Sequence, residues 1–232
     1  MQTLLDVNQL SLTFGNKKIL KNINISVVKP ELIYIVGTNG SGKSSLFNCI
    51  TGRYKPSSGE ICINGSIGYH EQKPVFILDM TVEENICCFN IVFKCGLTKS
   101  QLMDLILKVN LDHCFKQNTK KLSGGEKQRL SLAITLMRQR DIYLFDEAES
   151  AMDPIGRKMF FDSLMDLKQY SKTVFWISHH IKESLAVADR GCYLSDGLIY
   201  EFDVKEYAQI ASEYTEDAFA RLCEERLVKN IC

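Results

Sequence analysis

The sequence has no net charge, no long apolar run and no internal repeat. Its 28 lysines and arginines balance 28 aspartates and glutamates over 232 residues, so no overall field favours nucleic acid or an anionic membrane surface. Nowhere do 18 apolar residues run together, and the first residues, MQTLLDVNQL, lack the basic flank and apolar run of a signal peptide. We therefore expect a chain that does not cross a membrane by itself.

The cysteines also lack a recognisable spacing. There are nine of them, an odd number that includes the adjacent pair Cys87 and Cys88, and none are arranged as C-x-x-C. This pattern favours reduced thiols in a cytosolic compartment over a disulfide framework. Metal ligation by some of them is the alternative, although the spacing typical of zinc sites is absent.

Hydrophobic patterning indicates the fold class. Period-two alternation predicts antiparallel strands over residues 4–14 and 19–28, joined by a turn. Residues 55–72 predict two more short strands around an Asn-Gly turn. Further along, strands alternate with helices, which is typical of a mainly parallel sheet covered by helices on both faces. We predict an α/β fold with an N-terminal antiparallel β-subdomain.

Two segments interrupt or extend this α/β pattern. Residues from about 74 to 121 have helical apolar spacing, and Thr98 with Gln101 has the spacing of a capping box. We interpret this segment as an inserted helical lobe. Residues from about 200 to 232 look helical and carry no motif, so we expect them to pack on the core or at a dimer contact. The whole chain, 1–232, is predicted to be a single domain.

A glycine-rich loop, GTNGSGKS, lies between a β-branched strand and a predicted helix and matches G-x-x-x-x-G-K-[ST]. Backbone N–H groups of such a loop converge on phosphate oxygens, Lys43 would reach the β and γ phosphates, and Ser44 would ligate magnesium. The alternative, a glycine-rich turn without a ligand, is disfavoured by the strand-to-helix context. The predicted nucleotide cradle comprises Gly37, Thr38, Asn39, Gly40, Ser41, Gly42, Lys43, Ser44 and Ser45.

A phosphate loop needs an acidic partner for its metal. Asp146 and Glu147 close the apolar strand IYLF, so two adjacent carboxylates would lie at the edge of the sheet where ligands of open α/β folds bind. One of them, Asp146, can hold magnesium, while Glu147 is free to orient or deprotonate an attacking water. The alternative is a solvated strand end.

These motifs together resemble the ATP-binding cassette (ABC) family, whose signature is LSGGE, found here at 122–126. The resemblance covers nearly the whole chain, in the family's order. It implies the P-loop NTPase fold, ATP and Mg²⁺ as the bound groups, and an ATPase activity. SAMD at 150–153, which ends in Asp153, is similar to the family's D-loop.

Three further residues take a role only through this resemblance. Phe14 is similar to the aromatic residue that stacks on adenine, Gln72 to the glutamine that links magnesium to the transmembrane partner, and His179 to the switch histidine. Without the other motifs, Phe14 would be interpreted as a core residue, Gln72 as a surface residue and His179 as a structural residue. With the resemblance, the implied catalytic residues are Glu147, His179, Gln72 and Lys43, and the implied metal ligands are Ser44, Gln72 and Asp146.

The family resemblance explains why one chain carries two anion-binding turns. In the family, the signature turn of one chain faces the phosphate loop of a second chain, so ATP lies between two copies. Here Ser123 and Gly125 would donate to the γ-phosphate held by the partner. The implied nucleotide contacts outside the phosphate loop are Phe14, Ser123, Gly124, Gly125, Glu126 and Asp153.

Several positions depart from the usual family pattern. Ala148 and Glu149 stand where proline and threonine are common, His180 stands where aspartate is common, and His70 with Glu71 precedes Gln72. None of these departures removes a catalytic group. We therefore expect a site that is competent for hydrolysis.

The resemblance also implies a role. Free-standing chains of this kind power a separate transmembrane permease, so we expect a head-to-tail dimer with a second copy or a homologous cassette at the cytoplasmic face of the inner (plasma) membrane. The alternative is a soluble ABC ATPase that acts on ribosomes or nucleic acid. One cassette, the lack of sustained heptads and the neutral charge disfavour that class, and no nucleic-acid partner is expected. A P-loop kinase would leave LSGGE unexplained.

Overall fold

A computed structural model describes residues 3–210 and 216–228. In chain order, the strands in these ranges are β1 (Leu5–Phe14), β2 (Lys17–Val27), β3 (Leu32–Val36), β4 (Ser58–Ile63), β5 (Ile67–His70), β6 (Ile142–Asp146), β7 (Thr173–Ile177), β8 (Arg190–Ser195) and β9 (Leu198–Phe202). The helices are α1 (Lys43–Ile50), α2 (Val82–Val92), α3 (Lys99–Lys108), α4 (Gly124–Leu136), α5 (Pro154–Gln169), α6 (Ile181–Val187), α7 (Val204–Ile210) and α8 (Glu216–Cys223). Short 3-10 turns lie at Asp112–Cys114 and Thr119–Lys121, and a π-helical turn at Glu224–Val228 follows α8.

Two sheets form the frame of the protein. The smaller is antiparallel, with β1 between β2 and β4. The larger has the order β5-β6-β7-β3-β8-β9; its first five strands are parallel, and β9 pairs antiparallel to β8 at one edge. The predicted α/β class, with an antiparallel N-terminal subdomain and a helical insertion between β5 and β6, is confirmed.

The prediction for residues 55–72 was right about the strands and wrong about their pairing. β4 joins β1 in the small sheet, whereas β5 joins β6 in the large one, so no hairpin forms around Asn64 and Gly65. A type I′ turn would need positive φ at both residues, and only Gly65 has it. Instead, Ser66 donates from its N–H and its hydroxyl to Asp141, both at 2.8 Å, which fixes the crossover next to β6.

Burial on both faces defines the three central strands. Every residue of β3, β6 and β7 is buried, as expected for parallel strands covered by helices. One face packs against α1 and the small sheet, with Phe47 in that cluster. The other packs against α4 and α5, where Trp176 stacks on Tyr34 at 5.6 Å. The core therefore holds the ends of these strands in fixed register.

Local signals set the helix boundaries. Thr81, Thr98 and Ser123 are N-caps with complete capping boxes, of which only the second was predicted. The first could have been found from the sequence T-V-E-E, which has the same spacing. α1 ends at Ile50, and Gly52, with φ +73°, follows the C-cap Thr51, close to where the sequence predicted the end of the helix. Asp196 and Gly197 form the predicted Asp-Gly hairpin between β8 and β9, both with positive φ.

The C-terminal helices pack on the edge of the large sheet. Phe219 and Cys223 of α8 are fully buried, and the ring of Phe219 lies 5.8 Å from that of Tyr207 on α7. Residues 211–215 and 229–232, part of the predicted C-terminal helical segment, lie outside the described residues. Within the described ranges, no helix has both the length and the apolar content needed to span a bilayer.

The capping box at Thr98 allows a simple stability test. Its hydroxyl accepts from Gln101 N–H at 3.3 Å, and Gln101 accepts from Thr98 N–H at 2.9 Å. We expect Thr98→Ala to lower the free energy of unfolding by about 1 kcal/mol, which corresponds to roughly 2–4 °C in the melting temperature. Thr98→Ser, which keeps the hydroxyl, is the control. Equal melting temperatures for Thr98→Ala and the wild type would show that the cap contributes nothing.

Candidate functional site

The candidate site lies at one edge of the large sheet. The parallel strands β5, β6, β7 and β3 are neighbours in that order, so their carboxyl ends meet along one line. Ligands of open α/β sheets bind at this edge. The loops that leave these strands carry Gln72, Glu147, His179 and the phosphate loop, respectively.

The phosphate loop joins β3 to α1 and depends on its glycines. A Cβ at Gly37 would lie 2.1 Å from the Leu194 carbonyl oxygen, so only glycine fits between the loop and β8. Gly40 and Gly42 have φ of +81° and +110°, a region that side chains disfavour. Lys43 is buried, and its Nζ donates to the carbonyls of Gly37 at 2.6 Å and Thr38 at 3.1 Å. The lysine is thus held across the loop.

Asp146 has the properties of a magnesium ligand. Burial raises the pKa of this carboxyl, and hydrogen bonds from the hydroxyls of Ser44 and Tyr69 partly offset the effect. Its Oδ1 is buried and has no hydrogen-bond partner among the described residues. An orphaned carboxylate oxygen beside the Ser44 hydroxyl supplies the hard oxygen donors that Mg²⁺ prefers. The residues present therefore fit the implied ion.

Three of the predicted site residues form one hydrogen-bonded chain. Gln72 Nε2 donates to Glu147 Oε2 at 2.7 Å, and Glu147 Oε1 lies 3.0 Å from His179 Nε2. Glu147 has a left-handed backbone, with φ +50°, and its N–H donates to the Ile177 carbonyl at 3.0 Å. This turn directs the carboxylate out of the sheet edge and between the loops that follow β5 and β7.

The signature turn lies at the N-terminus of α4. Ser123 caps α4 and Glu126 completes the box, since its Oε2 accepts from Ser123 N–H at 2.7 Å. Although burial raises the pKa of Glu126, hydrogen bonds from Ser123 and His113 lower it to about 2. Ser123 and Gly124 are exposed to solvent, and their backbone N–H groups lie at the start of a 13-residue helix. The structure thus presents this turn outward.

The segment 150–153 packs against the signature turn and α4. A Cβ at Gly125 would lie 3.1 Å from the Ala151 carbonyl oxygen. Asp153 caps α5 through Gly156 N–H at 2.8 Å and accepts from Arg129 of α4 at 3.2 Å. Asp153 therefore has a local structural role, and its predicted contact with nucleotide stays a prediction.

Phe14 lies at the end of β1 with 49 % of its surface exposed. The ring of Tyr54, which follows α1, meets it edge to face at 5.2 Å. An exposed ring held by a second aromatic residue provides a face on which a base can stack. Sequence reasoning missed Tyr54, because nothing in its spacing distinguishes it from any surface tyrosine.

Sequence reasoning also gave no role to Glu149, which departs from the family pattern. This carboxyl is 1 % exposed, and burial raises its pKa to about 7, while the Ser178 hydroxyl and the charge of His179 favour the ionised form. Ser178 Oγ also accepts from His180 N–H at 2.9 Å. Glu149 therefore supports the loop that carries His179. The only sign in the sequence that Glu149 has a role is its departure from the threonine that is common at this position in the family.

Two other departures are structural. Ala148 is fully buried under the site. His70 is buried at the end of β5 with its ring 6.0 Å from that of Phe145, and burial lowers its pKa to about 4. It is a neutral core residue near pH 7.

Sequence comparison shows the family. The family model described as ABC transporter matches residues 20–150. The zinc import ATP-binding protein ZnuC of Vibrio vulnificus is 33 % identical over 193 residues, which cover 82 % of this chain and 72 % of that protein. The trimethylamine N-oxide transport system ATP-binding protein TmoW of Pelagibacter ubique is 32 % identical over 79 % of this chain and 60 % of that protein.

Solved structures show the same fold. The ATP-binding subunit of an ABC transporter superposes with a TM-score of 0.81 at 21 % identity, over 94 % of this chain and 98 % of that one. The dimeric post-hydrolysis state of an ATP-binding cassette bound to ADP and phosphate superposes with a TM-score of 0.77 at 24 % identity, over 86 % of this chain and 98 % of that one. With its phosphate loop, carboxylate edge and signature turn in family order, the chain belongs to the ABC transporter family of ATP-binding proteins.

Proposed function

We propose that the chain is the ATP-hydrolysing subunit of an ABC transporter, which dimerises around two ATP molecules and drives a separate membrane permease. The observation that carries this proposal is the hydrogen-bonded chain of Gln72, Glu147 and His179 at the edge of the sheet that holds the phosphate loop. A carboxylate fixed between an amide and an imidazole is positioned to accept a proton from water.

Each group at this edge has a task in hydrolysis. The backbone amides of the phosphate loop and Lys43 hold the phosphates of ATP. A magnesium ion held by Ser44, Asp146 and Gln72 would neutralise charge on the phosphate oxygens. Glu147 accepts the proton of the attacking water. His179 Nε2 holds the Glu147 carboxylate in the absence of nucleotide, and its N–H would donate to the γ-phosphate once ATP is bound.

The exposed signature turn supports the proposed dimer. Within one chain, the turn contacts the helical lobe and the segment 150–153, and Ser123 and Gly124 are left to solvent. In a two-fold pair, Ser123 and Gly125 of each chain donate to the γ-phosphate held by the other chain. An isologous arrangement of this kind contains two composite sites. The dimeric cassette structure with the same fold supports this geometry.

A groove between the helical lobe and the loop after β5 is the proposed contact with the permease. It contains a cavity of about 190 Å³ whose lining includes Tyr69, Glu71, Val75 and Phe93. The Arg138 guanidinium lies 4.2 Å from the centre of the Phe93 ring. A groove with both apolar and charged walls suits an amphipathic helix. Its position next to Gln72 would link permease movement to the metal site.

The location of the subunit and the transported cargo would both be set by the permease. A subunit of this kind works at the cytoplasmic face of the inner (plasma) membrane. The names of two relatives concern zinc import and trimethylamine N-oxide transport. Cargo and direction are read by the permease, so neither is assigned to this chain.

Glu147 is the proposed general base. We expect Glu147→Gln to reduce ATP hydrolysis by about 10²–10⁴-fold, because the amide cannot accept the proton of water, while ATP binding is kept. Phosphate release and binding of a fluorescent ATP analogue measure the two properties. Glu60→Gln, an exposed glutamate on β4, is the matched control. Hydrolysis at the wild-type rate in Glu147→Gln would remove Glu147 from the mechanism.

The proposed dimer depends on the signature turn at Ser123. We expect Glu147→Gln protein to form a dimer with ATP and magnesium, measured by size-exclusion chromatography with light scattering, because ATP is bound and not consumed. Adding Ser123→Arg should abolish the dimer, since the long side chain blocks the turn. Ser100→Arg, at an exposed position on α3, should leave it intact. A monomer under all conditions, or a dimer that survives Ser123→Arg, would contradict the composite site.

The buried carboxyl of Glu149 should make the stability of the protein depend on pH. Glu149 has a folded pKa of about 7, above its usual value, and it faces the charges of Glu147 and His179. Its contribution to stability is complete below the unfolded pKa and is lost as pH rises through the folded pKa. We expect the wild type to lose up to roughly 1.4 kcal/mol per pH unit between about pH 4.5 and 7 relative to Glu149→Gln.

Glutamine is the suitable replacement because its carbonyl oxygen can still accept from Ser178. Urea unfolding of both proteins across this pH range measures the effect. A difference between the two proteins that is constant with pH would show that Glu149 does not titrate in this range.

A further inference from the structure

A second cluster of ligand-type side chains lies on the lobe side of the signature helix. His113 and Cys114 belong to the 3-10 turn Asp112–Cys114, and Glu126 to the first turn of α4. The imidazole nitrogen, the thiol sulfur and a carboxylate oxygen all lie within 4.8 Å of one another. His113 Nε2 and Glu126 Oε1 are 3.0 Å apart.

The donor set suits a zinc ion. Zn²⁺ binds imidazole, thiolate and carboxylate with tetrahedral geometry, in which ligand atoms lie about 3.3–3.8 Å apart. The longest separation in the cluster must therefore shorten by about 1 Å, and the 3.0 Å pair of His113 Nε2 and Glu126 Oε1 must lengthen by about 0.3 Å. The His113 side chain is 51 % exposed, so its ring has room to turn and a water can take the fourth position. A thiolate and a carboxylate together balance the charge of the ion.

The surroundings of Cys114 keep its thiol protonated, so zinc binding requires loss of that proton. The thiol is buried and donates to the Leu111 carbonyl at 3.5 Å. Burial raises its pKa, and the charges of Glu126 and Asp112 add to this, while Arg129 lowers it. Arg129 is itself paired with Asp153. The thiol is therefore protonated near pH 7, and a bound metal would displace that proton.

Glu126 connects this cluster to the signature turn. Its Oε1 faces His113, whereas its Oε2 accepts from Ser123 N–H. A metal at Oε1 leaves the cap at Oε2 in place. We propose that His113, Cys114 and Glu126 form a Zn²⁺ site that ties the 3-10 turn of the helical lobe to the signature turn. The binding does not rest on ATP hydrolysis, so it can be tested without nucleotide.

The test uses the full chain, reduced and freed of metal, titrated calorimetrically with Zn²⁺ alone. We expect one ion per chain, and about one proton released from the thiol, read from titrations in buffers of different ionisation enthalpy. Co²⁺ in place of zinc should give a thiolate-to-metal charge-transfer band. His113→Ala, at an exposed position, should weaken binding about tenfold or more, and Cys114→Ala should remove both the band and the proton release.

Matched controls separate this site from binding by other thiols. Cys223→Ala removes a buried cysteine on α8, and Cys62→Ala an exposed one on β4; both should bind Zn²⁺ as the wild type does. Circular dichroism shows whether each variant is folded. Wild-type affinity in His113→Ala, or a charge-transfer band that persists in folded Cys114→Ala, would overturn the proposal. Loss of the band in either control variant would also overturn it.

Discussion

The parallel pairing of four neighbouring strands is the constraint on which the site depends. Because β5, β6, β7 and β3 run in the same direction, their carboxyl ends meet at one edge. Each strand is held in register by backbone hydrogen bonds and by helices on both faces. The loops that follow are consequently placed side by side, and Glu147 is fixed between Gln72 and His179 although the three are far apart in sequence.

Burial gives the acidic residues near this edge different properties. Asp146, at the end of β6, is buried with one oxygen left unpaired, which suits a cation that supplies the missing partner. Glu149, three residues on, is buried more deeply, and its pKa is raised to about 7. Glu147 lies between them and turns outward because its backbone is left-handed. Burial and backbone conformation thus give these three carboxyl groups different environments.

The signature turn depends on different contacts. Its cap is internal to α4, its glycine approaches the segment 150–153, and Glu126 reaches the helical lobe. The phosphate loop is held by β3, β8 and its own lysine. The phosphate loop and the signature turn are therefore two surfaces that are positioned by different neighbours within the chain. The His113, Cys114 and Glu126 cluster would make one of these surfaces responsive to metal.

The sequence by itself determined many of the features that depend on neighbouring residues. These features include the phosphate loop, the carboxylate pair after IYLF, the capping box at Thr98, the Asp-Gly hairpin and the alternation that predicts an α/β fold. Only the tertiary structure decided that β4 and β5 part at Asn64, that Tyr54 supports Phe14, and that Glu149 lies against the loop of His179. Turns, caps and loops depend on the backbone preferences of a few adjacent residues, so short sequence patterns predict them. Strand pairing between distant segments and the desolvation of a carboxyl depend on which other parts of the chain pack beside them.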